Sequence, residues 1–234
     1  MKRLPLNLIK SFSLFILLTV SAILGPSPAI AGSWSRIDKM TLKFSGEILD
    51  GDEVAFFKIL TPEDNTIIVD SEGGYTGAGV VIGMEIFKRG INIVVDGECL
   101  SSCANYLFIG AQNKFIRRGY VGFHGSTKQM LDPIPMKEME EEMRTSGSSE
   151  NEIQKELNRG RQIGIREAIF FKLTGVDISL FEVSYKEDKG SGHGRPYAFL
   201  VPKLETFKNY NIQNVSGVVD INVDPDFTQF IYLK

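Results

Sequence analysis

The sequence predicts an α/β fold in which parallel strands alternate with helices. Short runs of β-branched and apolar residues alternate along the chain with segments whose apolar residues recur at helical spacing. A strand–helix–strand succession favours parallel pairing with right-handed crossovers. About 200 residues follow an N-terminal leader, which is enough for a single domain with its own hydrophobic core.

Each element rests on its own local pattern. The strands have either alternating polarity or β-branched runs, and they are predicted at 40–48, 66–70, 91–95 and 119–124. The helices have apolar residues on one face, and they are predicted at 52–60, 80–88 and 104–109. The last of these strands ends on His124.

Residues 1–31 have the pattern of a signal peptide. A basic head containing Lys2, Arg3 and Lys10 precedes an apolar stretch at 12–24, and small residues follow at 26–31. We expect cleavage after Ala31 and export, with the periplasm as the destination; an uncleaved anchor is the alternative. Removing three basic and no acidic residues changes the formal net charge from −3 to −6. An acidic exported protein is a poor candidate for binding nucleic acid, and we expect no stable membrane insertion after cleavage.

The two cysteines, Cys99 and Cys103, are separated by one helical turn. Such a turn places the two α-carbons about 6 Å apart along the axis, within the range of a disulfide. An oxidising compartment favours the bridge, and two buried reduced thiols are the alternative. We expect no metal, because two cysteines are too few ligands for a closed zinc site.

Ligands of parallel sheets bind where strands pass into the following loops. Three such loops are predicted, at 71–79, at 97–103 and after His124. The glycines of the first loop invite a dinucleotide interpretation, but their order does not match the usual motif, and we expect no cofactor. The same glycines are suited to presenting backbone amides to a developing oxyanion, and a turn without chemistry is the third interpretation.

The second loop contains Ser101 and Ser102 at the corner between a strand and a helix. A serine there has an exposed hydroxyl and can act as a nucleophile when a base reaches it; capping of the helix is the alternative. A short crossover should bring His124 beside this corner. Nucleophile, base and glycine loop then share one edge of the sheet.

These segments together resemble the Clp protease proteolytic subunit. "SEGGYTGAGVVIGMEIFKRG" is similar to its Ser-Pro-Gly-Gly loop and helix, "SSCANYLFIGA" to its nucleophile helix and "VGFHGS" to its histidine strand. The likeness covers about residues 42–124, with a weaker one at 199–209. The signal peptide and the Cys-x-Ser-x-Cys pattern more closely resemble secreted Clp-like proteins of bacteria. The resemblance implies the Clp/crotonase fold, a single-domain spiral of ββα units that assembles into trimers or rings.

Transferred residue by residue, the resemblance implies that Ser101 is the nucleophile and His124 the general base. The backbone amides of Gly74 and Ser102 are then the oxyanion donors. The chain departs from the family pattern at the third member of the triad, because Tyr197 stands where the acid is expected. We predict Asp188 as the replacement. Glu187 and Asp177 are alternatives. Tyr197 itself is a further alternative, since it could hydrogen-bond His124 in place of the acid and leave a weak dyad. His193 in the same loop is expected to be structural.

Two further segments complete the prediction. Residues 136–172 are rich in helix formers and are interrupted at 146–149, where Ser148 and Ser149 form a predicted capping box with Glu152. Their position resembles the protruding helix through which Clp rings associate, so we expect a homo-oligomer, with a monomer as the alternative. Residues 211–234 are expected to add C-terminal strands.

Two functions from different classes fit this sequence. The first is a secreted serine peptidase or other acyl hydrolase that acts on peptides or unfolded proteins. The second is a Clp-like scaffold of weakened catalysis that binds a peptide or a protein partner. A carboxylate within hydrogen-bonding reach of His124 would favour the enzyme.

Overall fold

A mixed six-stranded sheet forms the centre of the fold. The computed structural model describes residues 32–131, 133–182, 199–220 and 230–233. In their order across the sheet, the strands are β1 (Ser33–Arg36), β2 (Thr41–Ile48), β3 (Thr66–Gly74), β4 (Asn92–Leu100), β5 (Lys114–Gly122) and β7 (Val215–Gly217). Strands β2 to β5 and β7 pair in parallel, which confirms the predicted α/β class, and β1 adds an antiparallel edge.

Helices follow each of the central strands. They are α1 (Asp52–Ile59), α2 (Thr76–Arg89), a π-helix (Cys103–Phe108), α3 (Thr127–Met130), α4 (Pro133–Thr145), α5 (Glu150–Thr174) and a 3-10 helix (Phe207–Tyr210). A second, two-stranded parallel sheet pairs β6 (Phe199–Pro202) with β8 (Phe230–Leu233). A single antiparallel bridge between Phe123 and Leu200 joins the two sheets.

The core lies between the sheet and the helices. Alternate residues of the strands are fully buried, as the pleat of a strand requires, and they include Leu42, Phe44, Ile67, Val69, Ile93 and Val95. Helix α2 packs closely on the π-helix, since a Cβ at Gly83 would lie 2.7 Å from the Tyr106 carbonyl oxygen and one at Gly79 would lie 3.1 Å from Ser102 Cβ. Gly79, which lies in the predicted 71–79 loop, and Gly83 therefore allow α2 and the π-helix to approach each other closely.

Strand β3 and helix α2 are longer than the sequence predicts. The predicted loop at 71–79 is mostly regular structure, because β3 continues to Gly74 and α2 begins at Thr76. Strand β4 likewise continues to Leu100, so the predicted loop at 97–103 is a sharp corner at Ser101 and Ser102. The pairing register shifts near Gly46 in β2 and near Gly97 in β4. The alternation of side chains between the two faces of the sheet is interrupted at these irregularities, and the strands continue beyond them.

Ser149 caps α5 as predicted. Its hydroxyl accepts from the amide of Glu152, and the Glu152 carboxylate accepts from the amide of Ser149 at 2.8 Å. In the range 211–234 the structure has the short strands β7 and β8.

Candidate active site

The Ser101 backbone makes the corner between β4 and the π-helix. Its φ of 51° lies in the left-handed region, which is unusual for a residue other than glycine. The Ser101 amide donates to the Gly122 carbonyl at 3.0 Å, and the Ser101 carbonyl accepts from the Asn105 amide at 2.8 Å. Hydrogen bonds to neighbouring elements therefore hold both backbone groups, and they stabilise the left-handed conformation of Ser101.

The side chains of Ser101 and His124 meet at this corner. Ser101 Oγ lies 2.5 Å from His124 Nε2, a hydrogen bond whose direction depends on the histidine tautomer. His124 directly follows Phe123, just beyond the end of β5, and β5 lies beside β4 in the sheet. The parallel register therefore brings together two residues that are 23 positions apart in the sequence.

Neither serine caps the following helix through its side chain. Ser102 occupies the N-cap position of the π-helix without a side-chain capping bond, and its hydroxyl donates to the Gly74 carbonyl at 2.7 Å. The alternative interpretation, in which Ser101 or Ser102 caps the following helix through its hydroxyl, is therefore wrong. Ser102 instead links the serine corner to the glycine loop.

The Gly73–Gly74 pair packs directly on the serine corner. Both residues have positive φ angles, 91° and 131°. A Cβ at Gly73 would lie 2.6 Å from Ser101 Cβ and 2.8 Å from the Ser102 nitrogen, so only glycine fits there. The Gly73 amide donates to Ser71 Oγ at 3.1 Å, and the Gly74 carbonyl faces Ser102.

A disulfide joins Cys99 and Cys103, as predicted. Their α-carbons are 5.2 Å apart, and both residues are fully buried. The bridge spans the corner that carries Ser101, so it restricts the backbone on both sides of the hydroxyl. The alternative prediction of two reduced thiols is therefore wrong, because both cysteines form the bridge.

His124 is partly shielded from solvent. Burial lowers the pKa of its imidazole to about 4, because desolvation disfavours the charged ring. The Phe199 ring stands edge-on to the imidazole with ring centroids 5.4 Å apart. His124 is therefore neutral at physiological pH and can accept a proton from Ser101.

The candidates for the third member of the triad fall in two places. Asp188, Glu187 and Tyr197 lie outside the described residues, and so does His193, which is expected to be structural. Asp177 is exposed, and its Oδ1 accepts from the Ser179 amide at 2.9 Å, which is a local turn interaction.

Sequence reasoning missed one buried polar group near this site. Glu167 of α5 is 2% exposed and accepts hydrogen bonds from Tyr106 Oη and from the amides of Thr127 and Lys128. The available signal was its place on the apolar face of α5, together with Ile163 and Phe170. Its partner Tyr106 lies 61 positions away, so local patterns could not pair them.

A cavity of about 700 Å³ lies beside Glu167 and the segment that follows His124. Its walls are largely apolar and include Leu131 and Phe171, with the lysines Lys128 and Lys172 among the lining residues. Within the described ranges, no cluster of three or more His, Cys, Asp or Glu side chains is arranged to hold a metal ion. Nor does any helix in that part of the chain have the length and apolarity needed to cross a membrane.

Comparisons with known proteins assign this chain to no family. No protein-family model matches it, and no curated protein sequence matches it significantly.

Proposed function

We propose that this protein is a serine hydrolase that cleaves peptide amide or ester bonds. Ser101 is the nucleophile and His124 is the general base. The observation that carries this proposal is the 2.5 Å contact between Ser101 Oγ and His124 Nε2, made by a serine in the left-handed conformation. A nucleophile and a base within hydrogen-bonding distance form the minimal catalytic pair of acyl transfer.

In the acylation step, Ser101 Oγ attacks the substrate carbonyl carbon while His124 Nε2 takes the hydroxyl proton. The tetrahedral intermediate collapses, the bond to the leaving group breaks, and His124 returns the proton to the departing amine or alcohol. Water then attacks the acyl-enzyme, with His124 again taking and returning a proton. The products are a carboxylic acid and regenerated Ser101.

The proposed oxyanion donors are the amides of Gly74 and Ser102. Support comes from the packing of Gly73 on Ser101 and from the Ser102 hydroxyl bond to the Gly74 carbonyl, which hold both segments beside the nucleophile. Preorganised amides of this kind stabilise charge that develops on the carbonyl oxygen. Losing one such donor typically slows catalysis by about 100- to 1000-fold.

Asp188 is the proposed third member of the triad. A carboxylate on Nδ1 would hold the tautomer of His124 and stabilise its cation. Such stabilisation matters here, because burial alone lowers the pKa of the imidazole to about 4 and so weakens it as a base.

The same proposal extends to the family, the assembly and the location of the protein. The parallel strand–helix succession and the glycine loop packed on the serine corner support a Clp/crotonase-like spiral. The disulfide fits an oxidising compartment, so we include export directed by residues 1–31 and a periplasmic location. Self-association into a trimer or ring follows from the resemblance, with peptides or unfolded proteins as substrates.

The test is covalent labelling of the purified, oxidised protein with a fluorophosphonate probe. Labelling should disappear in Ser101→Ala and His124→Ala and should only weaken in Ser102→Ala. Mass spectrometry of the labelled peptide identifies the modified serine. If Ser102→Ala abolished labelling and Ser101→Ala did not, the nucleophile would be assigned to the wrong serine.

The lowered pKa of His124 also favours a second candidate, a Clp-like scaffold that binds a peptide with little catalysis. This scaffold predicts a folded protein with an intact disulfide that no probe labels. It should still bind unfolded polypeptide, which fluorescence anisotropy with a labelled denatured protein can measure.

A further inference from the structure

Helix α5 contributes one buried carboxylate to the centre of the fold. Glu167 is 2% exposed, whereas Glu150, Glu152 and Glu156 of the same helix are exposed. Burial raises the pKa of the Glu167 carboxyl, because desolvation disfavours its charge. Burial of a carboxylate costs free energy because the group loses its hydration, and an apolar side chain of similar volume often stabilises a fold as well or better.

The donors to Glu167 come from the two segments that carry the proposed chemistry. Tyr106 Oη donates to Oε1 at 2.6 Å, and Tyr106 lies in the π-helix that begins two residues after Ser101. The Thr127 amide donates to Oε1 at 3.0 Å and the Lys128 amide to Oε2 at 3.2 Å. Thr127 follows His124 by three residues. One carboxylate thus joins the nucleophile helix to the histidine segment.

Asn105 makes a second, weaker connection between the same segments. Its Nδ2 lies 3.4 Å from the His124 carbonyl oxygen and 3.5 Å from that of Gly125. Asn105 therefore links the π-helix to the backbone of His124 and Gly125. Glu167 binds the same segment a few residues further on, at Thr127 and Lys128.

We propose that Glu167 is a positioning residue, which sets the distance between Ser101 and His124 by bonding Tyr106 and the amides of Thr127 and Lys128 at once. This role rests on the proposed hydrolase function. Glu167 does not touch the reacting atoms; it acts through the two segments that it joins. The physical reason is that His124 lies between the end of β5 and the start of α3, outside regular secondary structure. The Phe123–Leu200 bridge holds the backbone before His124, and the bonds to Glu167 hold the backbone after it.

The variants Glu167→Gln and Tyr106→Phe test this role, with Glu156→Gln as the matched control on the exposed part of α5. Glutamine keeps the shape of the side chain, but it has one acceptor oxygen and cannot accept at both ends. Tyr106→Phe removes one donor to the carboxylate, together with the hydrogen bonds of the same hydroxyl to Thr127 and Thr76, and leaves the carboxylate and its amide donors in place.

The readout separates position from stability. We expect the maximal rate of fluorophosphonate labelling to fall about 10- to 100-fold in both variants, the loss that misplacement of reacting groups by up to about 1 Å produces. The concentration of probe at half-maximal rate should not change, and neither should the final labelled fraction. Hydrogen exchange of the amides in 123–131 should accelerate, and Glu156→Gln should match the unmodified protein in every respect.

Three outcomes would overturn the proposal in distinguishable ways. Labelling at the unmodified rate in both variants would show that Glu167 does not position the pair. A smaller labelled fraction at an unchanged rate would show a role in stability alone. Absence of labelling in the unmodified protein would refute the hydrolase itself, and the positioning role with it.

Discussion

Replacement of Gly73 by alanine should displace the serine corner and slow its chemistry. Gly73 has a φ of 91°, and the missing Cβ would lie 2.6 Å from Ser101 Cβ and 2.8 Å from the Ser102 nitrogen. Contacts of a real Cβ below 3.0 Å are essentially never observed, so the corner has to move by several tenths of an ångström. Gly147 provides a matched control, because its φ is 92° and nothing lies within 4 Å of its missing Cβ.

The magnitude has two parts. A non-glycine residue in the left-handed region costs about 1–2 kcal/mol, and both alanine variants bear this cost. Overpacking a well-packed region adds about 1–3 kcal/mol at Gly73 only. We therefore expect a loss of about 2–5 kcal/mol in the free energy of unfolding for Gly73→Ala, against about 1–2 kcal/mol for Gly147→Ala.

The assay pairs urea unfolding with fluorophosphonate labelling of Ser101. Because functional groups have to be held within about 0.5 Å of productive geometry, labelling by Gly73→Ala should slow at least about tenfold. Gly147→Ala should label at the unmodified rate. If the two variants lost equal stability and labelled alike, the close packing of Gly73 on Ser101 would be wrong.

Three further predictions concern the surroundings of the site. Replacing Cys99 and Cys103 together by alanine should lower the free energy of unfolding by about 2 kcal/mol, the chain-entropy value for a sequence separation of 4; no change in urea unfolding would contradict it. With burial as the only influence, His124 should titrate at a pH of about 4 by NMR, assigned with His124→Ala. Since the unfolded chain binds more protons between pH 4 and pH 6.5, the stability that neutral His124 contributes is lost as the pH falls through this window. If Asp188 pairs with the imidazole, the titration should shift upward and should return to about pH 4 in Asp188→Asn; titration near 6.5 in both proteins would contradict the burial of His124. Ser149→Ala should cost about 1 kcal/mol in urea unfolding through loss of its cap on α5, while the labelling rate stays unchanged.

The sequence predicted the central strands and helices because their signals are local. A buried parallel strand needs a β-branched run, and 66–70 and 91–95 have one. Helix α2 was predicted to begin at Val80, four residues late, because Gly77 and Gly79 have low helix propensity. Close packing against the π-helix overrides that propensity, and packing is not visible in a local window.

The antiparallel edge strand β1 was not predicted. Its four residues, Ser33–Arg36, carry one large apolar side chain, Trp34, and show too short a pattern to count as a strand. Pairing with β2 stabilises it, and so do tilted ring contacts of Trp34 with Phe44 and Phe56, whose centroids are 4.8 and 4.7 Å away. These partners become neighbours only after folding.

The sequence by itself determined the α/β class, the capping box of α5, the spacing that allows the Cys99–Cys103 bridge, and the candidate pair Ser101 and His124. Each depends on residue types at fixed short separations or on the order of strands along the chain. Only the tertiary structure decided that the Ser101 hydroxyl meets the imidazole, that Gly73 packs on the corner, and that Glu167 joins two distant segments. Those contacts depend on the register between parallel strands and on helix packing, where a shift of a few tenths of an ångström changes the chemistry and leaves the sequence pattern the same.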